Sequence, residues 1–493
     1  MSDDFGILAV GAYIPRRRLQ RHAIHSANGW FAPNMRGLAK GEKAIANWDE
    51  DAVTMAVDAG RDCLNGSADE APETLSIAST TLPFSDRLNA GIAKEALNLS
   101  DNTSALDFTG SQRAGTSALL QALKGGVSHL CLAADNRKAR PGSEFEMLQG
   151  DAAAAILVGV GKPIAKLLGH HSLTIDFVDH FKATGEDFDY HWEKRWVRDE
   201  GHQAILGGAI KDAVESIGLT TADMDQVLIA LPGKSLPPKL IKAAGFKDGA
   251  VADTLHASVG YTGTAHPLLM LANALENAAP NQKILLAGFG QGADVLIFET
   301  TSQVKSVSPA KGVQGYLSER FADENYMRYL FHRDQIDLEK GMRAEFDEKQ
   351  PGTALSRNRK TALGLIGGKC TKTGTVQFPK TDISVSQNDR AIRTQEDYPL
   401  ADKVAKITTF TADRLTYSPD PPTYYGMIDF EGGGRMISEF SDVSEEDIEV
   451  GRDMRMVFRI KAKDYNRNFI KYFWKATPIR DTQKGERTNG TWY

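Results

Sequence analysis

The sequence predicts an α/β fold that is duplicated into two layered halves and followed by a small all-β barrel. Short apolar runs alternate with helical patterns over the first 300 residues, as in a sheet of buried strands covered by helices. The same series begins again near residue 166. From about Thr361 the chain contains only short strand-like runs separated by Gly, Pro and Asp, which favours a barrel.

Length and composition limit the classes of protein. A chain of 493 residues favours two or three domains, and 41% hydrophobic with 25% charged residues is typical of a soluble globular protein. The net charge of −6 gives no global reason to expect a nucleic-acid partner. No apolar run approaches the roughly 20 residues of a membrane helix, and MSDDFGILAV lacks the order of a signal peptide. We therefore expect a cytoplasmic protein without a membrane or nucleic-acid partner.

The elements of the two halves follow a common order. The first half, residues 1–165, contains GILAVGAYIP, the helix DEDAVTMAVDAGRDCL, TLSIAST, HLCLAAD and AAAAILVG. The second half, residues 166–303, contains KLLGHHSLTIDF, the helix HQAILGGAIKDAVESIG, QVLIALPG, a helix over 267–278, KILLAGFG and ADVLIFET. Each half ends in two apolar strands joined by small residues and an Asp, which predicts a hairpin at the end of a repeated unit.

The composition changes after residue 303. The stretch SQVKSVSPAKGVQG predicts a linker, and FADENYMRYLFHRDQIDLEKGMRAEF has the dense charge and aromatic stripe of a surface helix that docks on another surface. We assign the linker and docking helix to residues 304–360. Residues 361–493 contain ALGLIGGKC, KITTFTAD, YYGMIDFEGGGRMISEF and DMRMVFRIKAKD, which predict the strands of the antiparallel barrel.

The stretch ALDFTGSQRAGTSALLQAL, residues 105–123, predicts a sharp turn between a strand and a helix. The strand covers 106–109, the helix begins at Ala114, and the chain turns at 110–112. In many enzymes such an elbow presents a Ser or Cys at a helix N-terminus, where the dipole and free N–H groups stabilise negative charge. Here the turn holds Ser111 and Gln112 instead of an obvious nucleophile.

Several motifs together resemble the 3-hydroxy-3-methylglutaryl-CoA synthase branch of the thiolase superfamily, its archaeal and bacterial members especially. They are GAYIPRRRL, DEDAVTMAVDAG, AGTSAL, GDAAAAILVG, DYHWEKRWVRDEG, PGKSLP and GFGQGADVLIFE. The resemblance covers most of the first 300 residues in the same order. It implies a thiolase-type layered fold in both halves and a coenzyme A thioester as substrate or ligand.

The last 130 or so residues resemble the OB-fold protein that accompanies thiolases, usually as a separate chain with an N-terminal zinc ribbon. Here GGKCTKTGTVQFPKTDISVSQ takes the place of the ribbon. A ribbon needs paired cysteines so that four thiolates surround the metal. Only Cys370 is present, with Thr373, Ser384 and Ser386 at or near the other places. We expect a degenerate ribbon without zinc.

The resemblance also implies where the family's catalytic groups would stand. Its nucleophilic cysteine corresponds to Gln112, and its carboxylate corresponds to Thr80. Its histidine maps near Ile229 or Ala230, and the asparagine of related condensing enzymes is replaced by Tyr261. Because an amide cannot form an acyl-enzyme and the acid–base groups are missing, the inherited mechanism cannot operate.

Other residues offer alternatives that the sequence leaves open. Ser111 is a nucleophile or a helix cap, and Tyr261 is an acid for a lyase or retro-aldol reaction or a packing residue. His256 and His266 are bases or ordinary loop histidines. Gln112 itself could promote decarboxylation of a malonyl-type thioester through an oxyanion hole.

Two lysines follow the LIALPG strand. Lys234 corresponds to the family position that meets the phosphates of coenzyme A, and Lys239 lies near a second one. A lysine suits a flexible phosphate as a point charge, although a solvated side chain is the alternative. The sequence lacks the GxxxxGK[ST] and GxGxxG contexts of nucleotide sites.

Two classes of function follow. In the first, which we favour, the chain is a non-catalytic scaffold and acyl-CoA-handling subunit in a complex with an active thiolase, so that it is a pseudoenzyme. In the second, it is an acyl-CoA enzyme with a rearranged site: an acyltransferase, a lyase or retro-aldolase, or a decarboxylase. We expect a homodimer across the strand near HLCLAAD and a separate thiolase subunit as partners.

Overall fold

The computed structural model describes residues 4–64, 71–233, 235–345 and 352–480. They form two compact units. The first contains the described residues within Met1–Asn47, Asp51–Gly91 and Asp101–Arg333. The second contains those within Trp48–Glu50, Ile92–Ser100 and Asp334–Tyr493. The segment 304–360 is divided between the units after Arg333, and the four domain boundaries expected from the sequence stay predictions.

A nine-stranded sheet runs through the first unit. Its strands are Phe5–Tyr13 (β1), Thr74–Ala78 (β2), Ser104–Phe108 (β3), His129–Asp135 (β4), Ala152–Val160 (β5), Ala165–Thr174 (β6), Gln226–Ala230 (β7), Lys283–Phe289 (β8) and Gly292–Thr300 (β9). Their order in the sheet is β7-β8-β9-β6-β1-β5-β4-β2-β3. Strands β1 and β6 meet antiparallel, with Ile7 opposite Ala165, and the strands of each half extend to one side of them. The predicted duplication is confirmed.

The hairpins at the ends of the halves are also present. Strand β4 pairs antiparallel with β5, and β8 pairs antiparallel with β9. Next to them, β2 is parallel to β4 and β7 is parallel to β8. Almost every residue of β4, β5, β8 and β9 is buried, which explains why these strands are continuous apolar runs rather than alternating ones.

Helices cover this sheet. Within residues 4–333 they are Arg21–Asn28, Ala52–Leu64, Asn89–Ala96, Ala114–Gly125, Glu144–Leu148, Lys194–Trp196, the π-helix Val197–Leu206, Gly207–Glu215, Pro238–Ala244, His266–Glu276, Gly312–Ser318 and Tyr326–His332. Ala52–Leu64 packs on β1 and β5, and nearly all of its side chains are buried, as in a helix enclosed on every side. None of the helices in the described part of the chain is long and apolar enough to span a membrane.

The tract expected to form a linker and a long docking helix is built into the first unit as far as Arg333. Strand Phe321–Asp323 joins a small sheet with Arg17–Gln20 and Glu42–Ala44. The helix Tyr326–His332 has only seven residues. It begins where Asn325 accepts the Arg328 N–H, and it buries Tyr329 and Leu330. Tyr329 of the aromatic stripe is therefore core of the same unit, whereas Phe321 is 40% exposed. The prediction of a helix along the whole charged tract is wrong.

HLCLAAD, the strand near which a homodimer is predicted, lies inside the sheet, and the homodimer stays a prediction. HLCLAAD is strand β4, which is hydrogen-bonded to β2 on one side and to β5 on the other. A second copy cannot extend the sheet there, because both rows of backbone groups are already paired. The edge on that side is strand β3, where Leu106 is 44% exposed.

The second unit contains two antiparallel sheets, which confirms the all-β prediction. The smaller consists of Ile366–Cys370, Val376–Gln377 and Gln395–Pro399, and the larger of Ala405–Asp413, Thr423–Phe430, Arg435–Glu439, Asp453–Asp464 and Phe469–Pro478. Two short helices, Gly352–Arg357 and Arg359–Leu363, precede them. Phe458 packs against Tyr472 and Trp474 in the core, and the Trp474 indole N–H donates to the Leu363 carbonyl at 2.7 Å.

Hydroxyl groups surround Cys370 in the smaller sheet. Its Sγ lies 3.1 Å from Oγ1 of Thr394, a residue that the sequence comparison with a ribbon did not single out. Ser384 and Ser386 form a local turn instead, in which the Ser384 hydroxyl accepts the Ser386 N–H at 3.3 Å. Within the described ranges, no group of three or more His, Cys, Asp or Glu side chains is placed to hold a metal ion. The absence of zinc stays a prediction.

Candidate active site

The elbow has the predicted form. Strand β3 ends at Phe108, Gly110 turns the chain with a φ of 89°, and the next helix begins at Ala114. The turn between β8 and β9 lies against it. A Cβ on Gly290 would be 2.6 Å from the Ser111 Oγ and 3.0 Å from the Arg113 nitrogen, so only glycine permits this approach.

Ser111 closes this turn. Its hydroxyl donates to the Gly290 carbonyl at 2.9 Å and accepts the Arg113 N–H at 3.3 Å. Arg113 occupies the N-cap position of the helix, two residues after Ser111. The hydroxyl thus satisfies a backbone group at the helix entrance, as a capping residue does, and its proton is directed to a carbonyl oxygen rather than to a base.

Gln112 and Tyr261 meet in the interior, although they are 149 positions apart in the sequence. The Tyr261 hydroxyl donates to Oε1 of Gln112 at 3.0 Å. Nε2 of the same amide lies 2.8 Å from Nε2 of His180. Both Gln112 and Tyr261 are buried, at 7% and 3% exposure. The amide therefore bridges a phenol and an imidazole.

His180 is oriented by the residue before it. Its Nδ1 lies 3.0 Å from Oδ1 of Asp179, which also accepts from Nε2 of Gln291 at 3.2 Å. An ionised carboxylate only accepts hydrogen bonds, so Nδ1 carries the imidazole proton and Nε2 accepts from the Gln112 amide. Each side chain in the sequence Tyr261, Gln112, His180, Asp179 then donates one hydrogen bond to the next. This arrangement directs Nε2 of His180 toward the elbow.

A short hairpin carries His180 and begins directly after Asp179. It consists of His180–Phe181 and Tyr190–His191, and the Trp192 N–H closes it by donating to the Asp179 carbonyl at 2.9 Å. Nη2 of Arg137 lies 2.6 Å from Oδ1 of Asp189 and so ties the hairpin to the loop after β4. Burial lowers the pKa of His191 to about 4, so this second imidazole is neutral.

Thr80, at the expected position of the family's carboxylate, belongs to a second network. Its N–H donates to Oδ1 of Asp135 at 2.8 Å, and its hydroxyl contacts both Asp135 and the Arg137 guanidinium. Asp135 also accepts from the Ser79 hydroxyl at 2.9 Å and the Thr264 N–H at 2.8 Å. Thr80 thus links an acidic and a basic group and supplies no proton acceptor of its own.

Comparisons with known proteins assign the two units. The model described as 3-oxoacyl-(acyl-carrier-protein) synthase III C terminal matches residues 214–297, and the ChsH2 C-terminal OB-fold domain matches residues 399–459. The hydroxymethylglutaryl-CoA synthase of Archaeoglobus fulgidus is 28% identical over 342 residues, covering 67% of this chain and 99% of the relative.

Two solved structures share the fold. An HMG-CoA synthase complexed with CoA superposes with a TM-score of 0.57 at 18% identity, covering 70% of this chain and 95% of the other. PksG, an HMG-CoA synthase from Bacillus subtilis, gives a TM-score of 0.55 at 17% identity over 70% and 95% of the chains. The chain has an HMG-CoA synthase-like fold of the thiolase superfamily. A ChsH2-type OB-fold domain follows it.

In this synthase-like unit the other residues considered for catalysis are either apolar or buried histidines. Ile229 and Ala230 lie buried in strand β7. His256 and His266 stack on each other, with ring centroids 4.9 Å apart, and the His266 ring lies 5.0 Å from that of Tyr261. Burial lowers the pKa of His256 to about 4, and it also lowers the pKa of His266 well below the ordinary imidazole value. Both imidazoles are therefore neutral, and they pack behind the Tyr261 ring.

One of the two lysines expected to meet coenzyme A can be placed. Lys239 lies exposed on the helix Pro238–Ala244, while Lys234 is outside the described residues. Hydrogen bonds from Arg198 lower the pKa of Asp199, and the charges of Lys239 and Arg195 add to this effect. Lys239 thus belongs to a group of basic side chains at the surface of the synthase-like unit.

An open cleft of about 600 Å³ lies beside the hairpin. Leu173, Phe177 and Trp196 contribute to its apolar lining. Phe177 stacks on Trp196 at 4.2 Å and packs edge-on against Phe289 at 6.1 Å, one residue before Gly290 of the elbow. Phe177 therefore packs between the cleft and Phe289, next to the turn that holds Gly290.

The sequence analysis did not identify Asp179 and His180. Both belong to the short tract FVDHFK that follows strand β6, where no periodicity or motif distinguishes them from an ordinary loop. His180 is 68 positions from Gln112, and only the fold of the hairpin brings them together. The available signal was an adjacent acid and imidazole shortly after the carboxyl end of a strand of the large sheet, where sites of α/β proteins commonly form.

Proposed function

We propose that the protein is a cytoplasmic acyl-CoA carbon–carbon lyase that cleaves, or in reverse forms, a 3-hydroxyacyl thioester without a covalent intermediate. The hydrogen-bonded sequence Tyr261, Gln112, His180, Asp179 carries this proposal. It places an acid and an oriented base on the two sides of one amide at the elbow. Relatives named for hydroxymethylglutaryl-CoA, whose acyl group carries a 3-hydroxyl, support a thioester of this class.

The step balances with the groups present. Nε2 of His180 removes the proton of the 3-hydroxyl, the C2–C3 bond breaks, and C3 becomes the carbonyl of the released aldehyde or ketone. The electron pair passes to C2 as a thioester enolate, which takes a proton from the Tyr261 hydroxyl. Proton transfer through His180 then restores Tyr261. No oxidant, reductant or second substrate is consumed.

The side chains suit these roles. Burial raises the pKa of Tyr261, so its phenol stays protonated at neutral pH and can donate a proton. A substrate hydroxyl that displaces the amide from His180 also frees the Gln112 N–H. That donor can then bind the thioester oxygen as negative charge develops there. Gln112 therefore donates its N–H to His180 in the free protein and to the thioester oxygen when the substrate is bound.

A covalent route has little support in the described residues. Ser111 is engaged with Gly290. Cys63 and Cys131 are buried, and burial raises the pKa of both thiols, to about 12 for Cys131. A retro-aldol cleavage needs no nucleophile, whereas acyl transfer does. Decarboxylation needs one proton donor and no base, so it leaves the oriented imidazole unused.

The proposal is tested by incubating the purified full chain with uncharged 3-hydroxyacyl-CoA thioesters and detecting the shortened thioester and the carbonyl product by mass spectrometry. His180→Gln and Tyr261→Phe should each lower turnover at least about 100-fold, in line with loss of a general acid or base. His22→Gln and Tyr190→Phe, which alter half-exposed and exposed side chains, are the matched controls and should change little. Equal turnover in His180→Gln would contradict the proposal.

A non-catalytic scaffold for a separate thiolase is the second candidate. It is favoured by the closed network, because both groups that could act contact a protein side chain. Purification from the host would then yield a stoichiometric thiolase, the chain alone would have no turnover, and His180→Gln would leave the activity of the complex unchanged. In either case we propose acyl-CoA binding near Lys239 and a homodimer formed at the edge strand β3, which Leu106→Arg should dissociate.

A further inference from the structure

We propose that the acyl group accepted at the elbow carries no carboxylate, so that the substrate is an uncharged 3-hydroxyacyl thioester rather than the thioester of a dicarboxylic acid. The inference rests on the proposed function, because it takes the acyl chain to end beside Gln112. It distinguishes this chain's substrate from 3-hydroxy-3-methylglutaryl-CoA, which carries a free carboxylate two carbons from the hydroxylated carbon.

The fixed charges around the elbow are mostly negative. Asp135, Asp179, Asp189 and Asp294 all lie in the hydrogen-bond networks of the elbow and the hairpin, with side chains at most 11% exposed. Two guanidinium groups lie among them. Arg137 is 2.6 Å from Asp189, and Arg113 is 2.8 Å from Asp294. Among the described residues of these networks, Asp135 shares the charge of Arg137 with Asp189, and Asp179 has no guanidinium partner.

These charges act on the reacting groups. Besides burial, the charges of Arg137, Asp179 and Asp135 all shift the pKa of Tyr261. Asp135 is held by neutral hydroxyl and N–H donors, and Asp179 by His180 and Gln291. A third carboxylate placed beside them would enter a buried region that already holds excess negative charge, which is costly because water cannot screen it.

Both arginines are already paired with a carboxylate of the protein. Arg137 is paired with Asp189 and also contacts the Thr80 hydroxyl. Arg113 is paired with Asp294, which accepts from the Ser117 hydroxyl at 2.6 Å as well. A neutral hydroxyl requires only His180 as acceptor, so the site discriminates by repulsion of the charged alternative. The same repulsion disfavours a malonyl-type thioester.

Binding of two thioesters with acyl groups of equal carbon number tests this inference independently of turnover. Butyryl-CoA and succinyl-CoA both have four-carbon acyl groups and differ by a terminal carboxylate. In titration calorimetry of the full chain, we expect butyryl-CoA to bind at least about tenfold more tightly than succinyl-CoA, with free CoA as the reference. Equal or tighter binding of succinyl-CoA overturns the inference, and so does equal binding of free CoA and both thioesters.

A variant that lacks one carboxylate of the site provides a second test of the preference for uncharged acyl groups. Asp189→Asn removes one carboxylate and leaves Arg137 able to bind an anion, so the preference for butyryl-CoA should fall to less than about threefold. Asp187→Asn, on the same hairpin but exposed, is the matched control and should keep the wild-type ratio. If Asp189→Asn does not fold, Arg137→Gln should instead widen the ratio. An unchanged ratio in the folded variant overturns the assignment.

The two proposals fail in different ways. A chain that prefers butyryl-CoA but cleaves no 3-hydroxyacyl-CoA retains the charge selectivity and loses the lyase function. A chain that cleaves 3-hydroxy-3-methylglutaryl-CoA as fast as an uncharged 3-hydroxyacyl-CoA retains the lyase function and loses the selectivity. If no CoA compound binds, both are overturned.

Discussion

The Tyr261 hydroxyl donates a hydrogen bond of 3.0 Å to the side-chain oxygen of Gln112. The resemblance to condensing enzymes predicts that these two residues stand at the positions of a nucleophile and an asparagine. In the structure they belong to one buried network that continues to His180 and Asp179. The predictions below depend on this network.

The first prediction concerns the amide. Wild-type protein incubated with acetyl-CoA should show no acyl adduct, because no activated nucleophile lies at the elbow. Gln112→Cys should place a thiol beside Nε2 of His180 and gain one acyl group per chain, measured by intact-protein mass spectrometry. Ser111→Ala should leave any activity within a fewfold of wild type. An acyl group on a wild-type peptide containing Ser111 would refute the non-covalent mechanism.

The second prediction concerns the residue that orients the base. Asp179→Asn should lower kcat by at least about tenfold, since the amide can stabilise the wrong imidazole tautomer, while KM for the thioester changes little. Steady-state kinetics with an uncharged 3-hydroxyacyl-CoA measure both values. Asp176→Asn, three residues earlier, is the control. A rise in KM at constant kcat would show that Asp179 serves binding instead.

The third prediction concerns the close approach of Gly290. Gly290→Ala should place a Cβ against Ser111 and Arg113, shift the elbow, and destabilise the protein by about 1–3 kcal/mol as overpacking does. The melting temperature and the turnover rate should both fall. Gly125→Ala, where the structure leaves open space at the end of a helix, should be neutral or slightly stabilising. Equal stability of the two variants would show that the elbow can relax.

The fourth prediction concerns pH. Burial raises the pKa of Glu276 from 4.5 to about 7, while its carboxylate accepts the Val313 N–H at 2.8 Å. The folded chain therefore retains a proton that the unfolded chain loses. The stabilisation from Glu276 is complete below about pH 4.5 and is lost as pH rises through about 7. Glu276→Gln should flatten this part of the stability profile by an amount on the order of 3 kcal/mol, measured by denaturant unfolding across that range.

A neighbouring carboxyl adds to the same trend. Burial raises the pKa of Asp62 to about 6, and Asp62 accepts the Lys311 N–H at 2.6 Å. The Glu276→Gln variant should therefore keep a smaller decline in stability below pH 6. A profile that rises between pH 5 and 7 in wild-type protein would contradict the assigned direction for both carboxyls.

The fifth prediction concerns zinc. Metal analysis of the purified protein should show no stoichiometric zinc, because Cys370 is accompanied by Thr373 and Thr394 hydroxyls instead of thiolates. A chelator should leave the melting temperature unchanged, since no metal-binding free energy then contributes to folding. One zinc per chain would overturn this prediction.

Much of the fold could be predicted because its signals are local. The alternation of apolar runs and helical patterns, the paired strands at the end of each half, and the strand, turn and helix at 105–123 all depend on residues close together in the chain. The prediction of a long docking helix was wrong because it also depended only on local signals. Its charge and aromatic spacing suit a helix, but Asn325 begins the helix late and the residues after His332 do not continue it.

By itself, the sequence determined the duplicated α/β sheet and the all-β domain, and its resemblance to condensing enzymes singled out Gln112, Ser111 and Tyr261 as candidate site residues. Only the tertiary structure decided which side chains these residues contact. The contacts of Gln112 with His180 and Tyr261 join residues 68 and 149 positions away, so they depend on how the hairpin and the turn before His266 pack over the elbow. No periodicity encodes such a contact, because periodicity reports which face of one element is buried and not which distant side chain it meets.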